Sequence, residues 1–464
     1  MYTPRDYQET GIEASIKILT SKKPKREIVV SPTAGGKSLY VAFSAKAVDY
    51  PLIVLQPSKE LLLQNYSKFL ELGGEAEIYC AALKSSNIGK ITFATIGSIK
   101  KEISKVKSLG VKGLIIDEAH LGTKSDSSIR KFIKDVGIQN VLGLTATPVY
   151  LEGGMNGAEL KMINRVRGAL FRDIAHVTQI SELVQKKFWS RLLYTEEELD
   201  LELLKLNSNG SDYTLDSQKK FYEGNSLERK IVSYVDRLER NDRKSILIFV
   251  PSIEDAESLS KLIPGSKTVH SKTDDKERDQ IIKDFKSLKQ KVVINVNVLS
   301  VGFDHPQLDA IITARATNSI AIYYQQIGRG VRIHPLKTSC RVIDLSGNVK
   351  NFGKVELLNF EYIENYGWGM FTGDKLLSNY PMQAKRRPTK ESLRRGVKAE
   401  REKIFHSSKE DPEIKIWFGK YKNRTLSSVH KENDKYLSWM IDNFDFNGTK
   451  MIKLKRQIEI ILKL

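Results

Sequence analysis

Short apolar runs alternate with amphipathic stretches along most of this chain, and the runs form two series. The first series predicts strands at Glu27–Ser31, Leu52–Gln56, Lys90–Ala94, Gly113–Asp117 and Val141–Thr145, and the second at Ser245–Val250, Lys267–His270, Lys291–Val296, Ala310–Thr313 and Arg341–Leu345. This pattern is typical of parallel sheets that helices cover on both faces. The sequence therefore predicts an α/β fold with two tandem domains, each built on a parallel sheet flanked by helices.

The first predicted strand leads directly into a glycine-rich segment, Ser31-Pro-Thr-Ala-Gly-Gly-Lys37-Ser38. A turn of this kind between a strand and a helix lets backbone N–H groups surround phosphates. We expect Lys37 to bridge the β- and γ-phosphates of ATP and Ser38 to hold Mg²⁺. The other loop residues expected to contact the nucleotide are Thr33, Gly35 and Gly36. Taken alone, the segment fits a chance turn equally well, and Ser31 replaces the glycine with which the strict pattern begins.

The fourth predicted strand ends in the sequence Asp117-Glu118-Ala-His120. Neighbouring side chains of a strand point to opposite sides, so one carboxylate can reach a metal while the other positions water. We therefore assign Asp117 to Mg²⁺ and Glu118 to the role of catalytic base. The residues expected to couple hydrolysis to movement are His120, Thr145 and Thr147. The alternatives are a solvated turn at the acidic pair and threonines that simply end a strand.

Arg329 and Arg332 lie three residues apart on a predicted helix, so both face the same side. If that helix faces the glycine-rich loop, the two guanidinium groups stabilise charge on the γ-phosphate. Gln325, in the same segment, is the third residue that we assign to catalysis here. Closure of the two domains then becomes a condition for hydrolysis. The alternative is an ordinary basic helix face, which is common in a chain with a formal net charge of +19.

Three residues near the start of the chain suit recognition of the adenine base. The amide of Gln8 can pair with the edge of the base while Tyr7 packs nearby, and Arg5 belongs to the same short segment. A role in capping a helix, or at the surface, is nearly as compatible with these residues.

Basic residues outnumber acidic ones, with 75 lysines and arginines against 56 aspartates and glutamates. Such an excess attracts polyanions, because basic side chains that neutralise phosphates release counterions. Beside an ATP site, it favours a nucleic-acid partner over a merely solubilising surface. Polar residues that follow predicted strands are expected to hold the sugar–phosphate backbone. These are Ser58, Lys59, Gln64, Thr95 and Ser252, and ordinary loop polarity is the alternative for each.

Together with Ser300-Val-Gly302-Phe-Asp304, these segments resemble the motifs of superfamily 2 helicases in order and spacing, across roughly residues 1–350. The resemblance implies two tandem RecA-like domains that hydrolyse ATP with Mg²⁺, and it adds Gly302 and Asp304 to the nucleotide contacts. Within the superfamily, the chain resembles the RadD-like bacterial DNA-repair helicases. The segments that carry this second resemblance are Cys80–Lys84, Gly168–Asp173 and Asn295–Arg332. It implies action on branched DNA (forks, displacement loops and Holliday junctions) in replication, recombination or repair, as for phage branch-migration helicases of the UvsW kind.

The expected domains are 1–175 and 243–350, with a linker or helical insert at 176–242, a basic linker at 351–408 and a small module at 409–464. In the last of these, Trp417–Leu426 and Tyr436–Trp439 resemble a small module at the end of some exonucleases. That resemblance implies nucleic-acid binding or docking of a protein partner.

Cys80 and Cys340 are the only cysteines of the chain, too few for a disulfide framework or a four-cysteine zinc site. We therefore expect no structural zinc, although RadD-like proteins carry a cysteine-rich zinc segment. No apolar run approaches the ~20 residues that span a membrane, and the polar start lacks a signal-peptide core. These features favour the cytoplasm of a bacterium or of a phage-infected cell, without a membrane partner.

Three other functions fit the same motifs. An RNA helicase would use them equally, since none distinguishes ribose from deoxyribose. An ATP-gated clamp would hold nucleic acid and recruit partners through residues 411–464 without unwinding. A restriction-type motor subunit would need a nuclease or methylase partner, because no such domain is evident in the sequence. An aromatic such as Phe188 or Trp189 would suit strand separation, but burial in the core is the expected role of both.

Overall fold

The computed structural model describes residues 2–122, 127–154, 157–166, 168–208, 210–299, 303–364, 367–378, 415–416 and 420–443, together with Leu454, Ile458, Ile461 and Leu462. The chain divides into two compact units, Met1–Lys385 and Arg386–Leu464. The expected basic run from Lys385 to Arg401 and the aromatic residues Trp417, Phe418, Phe444 and Phe446 lie outside the described residues.

The strands, in chain order, are β1 (Arg26–Val30), β2 (Leu52–Gln56), β3 (Glu77–Cys80), β4 (Ser85–Ser86), β5 (Ile91–Thr95), β6 (Gly113–Asp117), β7 (Asn140–Thr145), β8 (Val149–Gly154), β9 (Gly157–Met162), β10 (Asp173–Val177), β11 (Arg191–Glu196), β12 (Ile246–Phe249), β13 (Lys267–Val269), β14 (Val292–Asn295), β15 (Ala310–Thr313), β16 (Ser339–Asp344), β17 (Leu358–Ile363), β18 (Gly367–Thr372) and β19 (Lys375–Leu376).

The helices are α1 (Asp6–Leu19), α2 (Lys37–Lys46), α3 (Lys59–Glu71), α4 (Ile96–Ile99), α5 (Ile103–Ser108), α6 (Ser128–Val136), α7 (Ile180–Gln185), α8 (Leu215–Gly224), α9 (Leu227–Arg240), α10 (Ile253–Leu262), α11 (Asp275–Lys286), α12 (Ile320–Ile327), α13 (Asn348–Phe352), α14 (Leu426–Glu432) and α15 (Asp434–Asn443). Within the described part of the chain, none of these helices combines the length and apolar composition that crossing a membrane requires.

The first unit contains two parallel sheets. One has the strand order β10-β1-β7-β6-β2-β5-β3-β4, with β4 antiparallel at its edge, and the other has the order β11-β16-β15-β12-β14-β13. All ten strands predicted from the apolar runs are present, each within two residues of its predicted bounds. The predicted α/β fold, with two parallel sheets flanked by helices, is confirmed.

The central strands are buried on both faces, which explains why uninterrupted apolar runs located them. Along β2, Ile53 and Leu55 pack in one core, whereas Leu52 and Val54 pack in the core on the opposite face. Because successive side chains of a strand point to opposite faces, only a continuous apolar run supplies both cores.

The order of the strands places three of the polar segments side by side. β7 lies between β1 and β6 and pairs with both in parallel. The carboxyl ends of these three strands therefore meet at one edge of the sheet. The glycine-rich loop follows β1, Asp117 ends β6 and Thr145 ends β7. Ligands bind at this edge in open parallel sheets.

The segment 176–242, predicted to be a linker or helical insert, is divided between the two sheets instead. β10 pairs with β1 in the first sheet, and β11 pairs with β16 in the second. Helices α8 and α9 contribute Phe221 and Ile231 to a core that they share with Ile248 of the second sheet. The second domain thus begins near Arg191. The sequence did not reveal β11 because it is an edge strand with mostly half-exposed or exposed residues.

Part of the segment 351–408, predicted to be a basic linker, is an antiparallel sheet of order β17-β18-β19. Its residues Phe360 and Met370 belong to the core that also contains residues of both parallel sheets. The side-chain amide of Gln179, just before α7, donates to the carbonyl oxygen of Phe360 at 2.6 Å and accepts from its N–H at 3.2 Å. This pair of hydrogen bonds fixes the small sheet to the segment that connects the two domains.

The second unit has a small core of its own, to which α14 and α15 both contribute. The buried residues of that core are Ile416, Tyr421, Leu426, Val429, Leu437, Met440, Leu454 and Ile458. The rings of Tyr421 and Tyr436 meet edge to face with their centroids 4.7 Å apart. The second unit thus has a core of its own, which a separately packed C-terminal module requires.

We predict that Gln179→Ala loosens the small sheet. The N–H and carbonyl of Phe360, a buried residue, would lose both of their side-chain partners, which costs about 1–3 kcal/mol of unfolding free energy. Amide hydrogen exchange of residues 358–363 should accelerate, and thermal unfolding should begin at a lower temperature. Gln185→Ala, at an exposed position of the same helix, is the matched control and should leave both measurements unchanged.

Candidate active site

A cavity of about 340 Å³ opens where the carboxyl ends of the first sheet face the second domain. The first domain lines it with Thr33, Gly36, Lys37, Ser38, Asp117 and Glu118, and the second domain lines it with Phe303, Asp304, Gln325, Arg329 and Arg332. Residues from four separate sequence segments thus meet in one place. Gly302 lies outside the described residues.

The glycine-rich loop has a backbone that only small residues allow. Gly36 has φ +94°, in the left-handed region, and a Cβ there would lie 2.4 Å from Nε2 of Gln8. A Cβ on Gly35 would lie 2.6 Å from Oγ of Ser31. Helix α2 begins at Lys37, so the loop passes directly into a helix N-terminus. Free N–H groups at such an end are a site for phosphate.

The residues predicted to recognise adenine lie against this loop. Nε2 of Gln8 donates to the carbonyl of Gly35 at 3.1 Å, and its Oε1 accepts from the N–H of Arg5 at 3.0 Å. The Arg5 guanidinium carbon lies 3.8 Å from the ring centroid of Phe188, which in turn contacts Tyr7. Gln8 therefore caps α1 and holds the loop, as the capping alternative expects. Pairing of its amide with adenine stays a prediction.

Lys37 lies between the two carboxylates that end β6. Its ammonium donates to Oε1 of Glu118 and lies 3.8 Å from Oδ1 of Asp117. We expected the two carboxylates to point to opposite sides, as on a continuing strand, but both face Lys37. The reason is that Glu118 has φ +47°, which turns the chain as soon as the strand ends.

The protonation of this group follows from burial and neighbouring charge. Burial raises the pKa of Asp117, and Lys37 only partly opposes that effect. Burial also acts to raise the pKa of Glu118, but the charge and hydrogen bond of Lys37, together with the charge of Arg329, hold the pKa below its usual value. Glu118 is therefore ionised at neutral pH, as a residue that accepts a proton from water must be.

Asn65 is a site residue that the sequence reasoning missed. Its side-chain Nδ2 donates to Oδ2 of Asp117 at 3.0 Å, while the N–H of Glu118 donates to Oδ1 at 2.9 Å. Both carboxylate oxygens of Asp117 are thus held in place. Asn65 shares the buried face of α3 with Leu62 and Phe69, so a polar residue at an apolar position was the available signal.

The donors present fit Mg²⁺. Ser38 and Asp117 both line the cavity, and hydroxyl and carboxylate oxygens are the ligands that this ion prefers. When bound, Mg²⁺ neutralises charge that develops on the phosphates. The fixed orientation of Asp117 suits a metal ligand, because ligating carboxylates are normally hydrogen-bonded by neighbouring side chains.

The predicted coupling residues form a connected group behind Glu118. Nδ1 of His120 lies 2.9 Å from Oγ1 of Thr145 and 3.5 Å from Oε2 of Glu118. The N–H of Thr147 donates to the same threonine oxygen at 3.1 Å. Burial lowers the pKa of His120, so its ring is neutral at neutral pH. The three residues join β6 to β7 inside the first domain.

The two predicted arginines reach the cavity from the second domain, but they follow α12, which ends at Ile327, and do not lie on the predicted helix. Arg329 donates through Nε to the carbonyl of Gln325 at 3.1 Å and through Nη1 to the carbonyl of Phe303. Burial and the neighbouring Arg332 lower the pKa of Arg329 to about 10, so it keeps its charge. Nε of Arg332 lies 2.9 Å from Oδ1 of Asp304. Both guanidinium groups are therefore held in position before any phosphate binds.

Thr33 of the glycine-rich loop is held from outside the first domain, by contacts that the sequence did not reveal. Its N–H donates to the hydroxyl of Tyr324 at 3.0 Å, and Nε1 of Trp189 donates to its carbonyl at 3.0 Å. Trp189 is buried, as predicted for a core residue. The loop that receives the phosphates is thus in direct contact with α12 of the second domain.

Three of the residues predicted to hold nucleic acid lie at the starts of helices. Ser58 caps α3, Ser252 caps α10 and Thr95 precedes α4. Nζ of Lys59 lies 3.4 Å from Oδ2 of Asp275 in the second domain. Gln64 lines the cavity between the domains instead of the strand-end surface, because its turn of α3 faces Asp117.

Three segments of the chain match families of known proteins. Residues 1–150 match the res subunit of type III restriction enzymes, and residues 228–334 match the helicase conserved C-terminal domain. The first match contains the glycine-rich loop and the acidic pair, and the second contains both arginines. Residues 416–445 match the C-terminal domain of exodeoxyribonuclease X-like proteins.

Curated relatives match more than half of this chain. The candidate ATP-dependent helicase IRC3 of Saccharomyces cerevisiae is 25% identical over 362 residues, which are 74% of this chain and 51% of that protein. A 51.5 kDa protein of a Lactococcus phage is 27% identical over 333 residues, 70% of this chain and 66% of its own length. The ATP-dependent RNA helicase FAL1 of Kluyveromyces lactis is 22% identical over 316 residues, 63% of this chain and 70% of its own. This chain thus spans about half the length of the Saccharomyces relative.

Solved structures share the fold. A fragment of a candidate HsdR subunit of a type I restriction enzyme from Vibrio vulnificus has a TM-score of 0.56 at 17% identity, over 76% of this chain and 66% of that one. The ATP-dependent type ISP restriction-modification enzyme LlaBIII, bound to DNA, has a TM-score of 0.53 at 13% identity, over 74% of this chain and 28% of that one. The two parallel sheets are the two RecA-like domains that the sequence predicted.

We predict that Asn65→Leu raises the Mg²⁺ concentration that ATP hydrolysis needs and changes the affinity for nucleotide much less. Without the amide, one oxygen of Asp117 loses its partner, and the Mg²⁺ concentration for half-maximal ATP hydrolysis should rise about tenfold. A Mg²⁺ titration of ATP hydrolysis, beside a binding titration with a fluorescent nucleotide, measures both. Asn87→Leu, at an exposed position of the same domain, should behave as the unmodified chain does. An unchanged Mg²⁺ requirement in Asn65→Leu would contradict the positioning role.

Proposed function

We propose that this chain, which carries the two domains of a superfamily 2 helicase and hydrolyses ATP with Mg²⁺, uses that hydrolysis to move along DNA and to unwind or branch-migrate it. One observation carries the proposal. Lys37 and Glu118 face the shared cavity from the first domain, and Arg329 and Arg332 face it from the second. Because hydrolysis at such a site needs both domains, each turnover closes and reopens the cleft between them. Alternating closure and opening advances one domain along a strand relative to the other.

Each charged side chain of the cavity has its own role in hydrolysis. Lys37 and the N–H groups of the glycine-rich loop bind the phosphates. Glu118 orients the attacking water and accepts its proton. Arg329 and Arg332 stabilise the charge that spreads over the γ-phosphate oxygens. In the structure the Lys37 ammonium donates a hydrogen bond to Glu118. When the ammonium turns to the phosphates instead, the Glu118 carboxylate becomes free to act on water.

DNA is the favoured polymer, and branched DNA its favoured form. A net charge of +19 suits a polyphosphate partner. The fold is shared with LlaBIII, which was solved bound to DNA, and the sequence resembles RadD-like repair helicases. Forks, displacement loops and Holliday junctions in replication, recombination or repair are the proposed substrates. RNA is the second candidate, because the RNA helicase FAL1 matches 63% of this chain.

Residues at the starts of helices in both domains are proposed to contact the sugar–phosphate backbone. Ser58 and Ser252 accept from the N–H groups of Leu61 and Asp255, so each caps a helix that follows a central strand of its sheet. Polar side chains and N–H groups at such positions bind phosphates without reading bases. Lys59 and Thr95 are assigned to the same role. Gln64 is assigned to the nucleotide cavity.

The second unit is proposed to add a contact with DNA or with a protein partner. Support comes from the match of residues 416–445 to a domain that ends exodeoxyribonuclease X-like proteins. Lys420 and Arg424 lie 5.3 Å and 5.8 Å from the ring centroid of Tyr421, which is buried. Trp439 of the same unit is exposed and supplies an aromatic group at the surface. Basic and aromatic groups together suit single-stranded nucleic acid.

Steady-state ATP hydrolysis with different polymers tests the proposal. Rates should be compared without nucleic acid and with single-stranded DNA, duplex DNA, forked DNA and single-stranded RNA. We expect forked DNA to stimulate hydrolysis most. Glu118→Gln should abolish the stimulated rate, because the amide cannot accept the proton of water while its shape still fits the site.

Other results would change the assignment. Strongest stimulation by RNA would overturn the choice of polymer. Stimulation by forked DNA without strand displacement would favour a clamp that recruits partners. Hydrolysis that is indifferent to every polymer would contradict a motor of any kind.

A further inference from the structure

A second groove lies on the opposite edge of the first sheet from the nucleotide cavity. It has a volume of about 840 Å³, and its lining includes Pro24 and Arg26 at the start of β1 and Gln139 just before β7. The nucleotide cavity lies at the carboxyl ends of these strands, so the groove is separated from it by the full length of the strands. None of the residues assigned to hydrolysis or to the backbone contacts above lines the groove.

Two arginines, Arg26 and Arg130, line the groove, and a third lies beside it. The N–H of Arg172 donates to the carbonyl of Arg26 at 2.8 Å, which places Arg172 next to Arg26, just before β10. The Arg26 guanidinium donates to the carbonyl of Ile138 at 3.0 Å. Burial lowers the pKa of Arg26, and the charges of Arg172 and Arg130 lower it further. An anion bound beside these groups would reduce the repulsion between their like charges.

The wall of the groove is helix α6, which adds a row of lysines. Lys131 and Lys134 are exposed and lie three residues apart, so they project from the same side of the helix. Among the described residues that line the groove, Asp135 is the only acidic one. Among its described lining residues, the groove therefore presents more basic than acidic side chains.

We infer that this groove binds the phosphodiester backbone of a second DNA segment, in addition to the strand held at the other edge of the sheet. The inference rests on the proposed function, since branched DNA has arms beyond the one on which the motor moves. An extended polyanion suits the site better than a single small anion, because the cations continue from the floor at Arg26 to the exposed wall at Lys134. Guanidinium and ammonium groups bind phosphate oxygens without reading bases.

The test uses the full chain and two variants that remove the same number and kind of charges. The groove variant combines Lys131→Gln, Lys134→Gln and Arg172→Gln, all at exposed positions. It leaves Arg26 and Arg130 in place, because both donate to backbone carbonyls of the fold. The control variant combines Lys219→Gln, Lys220→Gln and Arg229→Gln, at exposed positions of the second domain. Thermal unfolding should be the same for all three proteins.

Binding of a four-way DNA junction and of a short single strand is then measured without ATP, across a salt series. For the groove variant we expect junction affinity to fall about tenfold or more, and the slope of log affinity against log salt to lose about two to three units, because each lost phosphate contact removes about 0.9. Affinity for the short single strand should match that of the control variant.

Two results would overturn the inference. Junction affinity and salt slope equal to those of the control variant would show that the groove contacts no DNA. Binding of a glutamate-rich peptide that the groove variant loses, with junction binding intact, would assign the groove to an acidic protein. A failure of the proposed function would be seen in a different experiment. In that case, no form of DNA would stimulate ATP hydrolysis by the unmodified chain.

Discussion

The cavity between the two domains depends on the contacts of the Lys37 ammonium. It donates a hydrogen bond to Glu118, and its Nζ lies 3.8 Å from Oδ1 of Asp117. Charges in a cavity with little water are unfavourable unless they neutralise one another, and removal of one partner leaves the others uncompensated. Here Lys37 is paired with Glu118 and Arg332 with Asp304, while Arg5, Lys68 and Arg329 line the cavity as further cations. Phosphates that bind Lys37 therefore compete with Glu118 for it. In the proposed mechanism, the same exchange that binds the nucleotide frees Glu118 as a base.

This exchange also explains why the two domains act together. In the proposed mechanism neither domain contains a complete site, since the proposed base, Glu118, lies on the first and the two arginines lie on the second. The glycine-rich loop is held through Thr33 by Tyr324 of the second domain, so a change in the loop is transmitted across the cleft. Behind Glu118, His120 connects the strand end to Thr145, which lies at the edge where ligands bind. We propose that these hydrogen bonds link hydrolysis to closure of the two domains.

The sequence predicted the ten strands, and it located residues that line the cavity, because each signal is local: an apolar run, a glycine-rich turn or a pair of adjacent carboxylates. It did not predict Asn65 or Tyr324, since their roles arise only when α3 packs beside β6 and α12 reaches the loop. The orientation of α3 likewise could not be read from the sequence, and it places Gln64 in the cavity, where we had expected a nucleic-acid surface. The sequence did not predict the edge strand β11, because most of its residues are exposed or half-exposed and form no apolar run.

The central claim is that the second domain supplies chemistry to a site on the first. Single-turnover hydrolysis by Arg329→Ala, measured beside nucleotide affinity, tests it most directly. The account predicts nearly unchanged affinity and a rate lower by about 10³-fold or more, because the guanidinium acts on charge that develops in the transition state. Arg240→Ala, at an exposed position of the same domain, should keep the full rate. An unchanged rate in folded Arg329→Ala would contradict the claim that hydrolysis requires both domains.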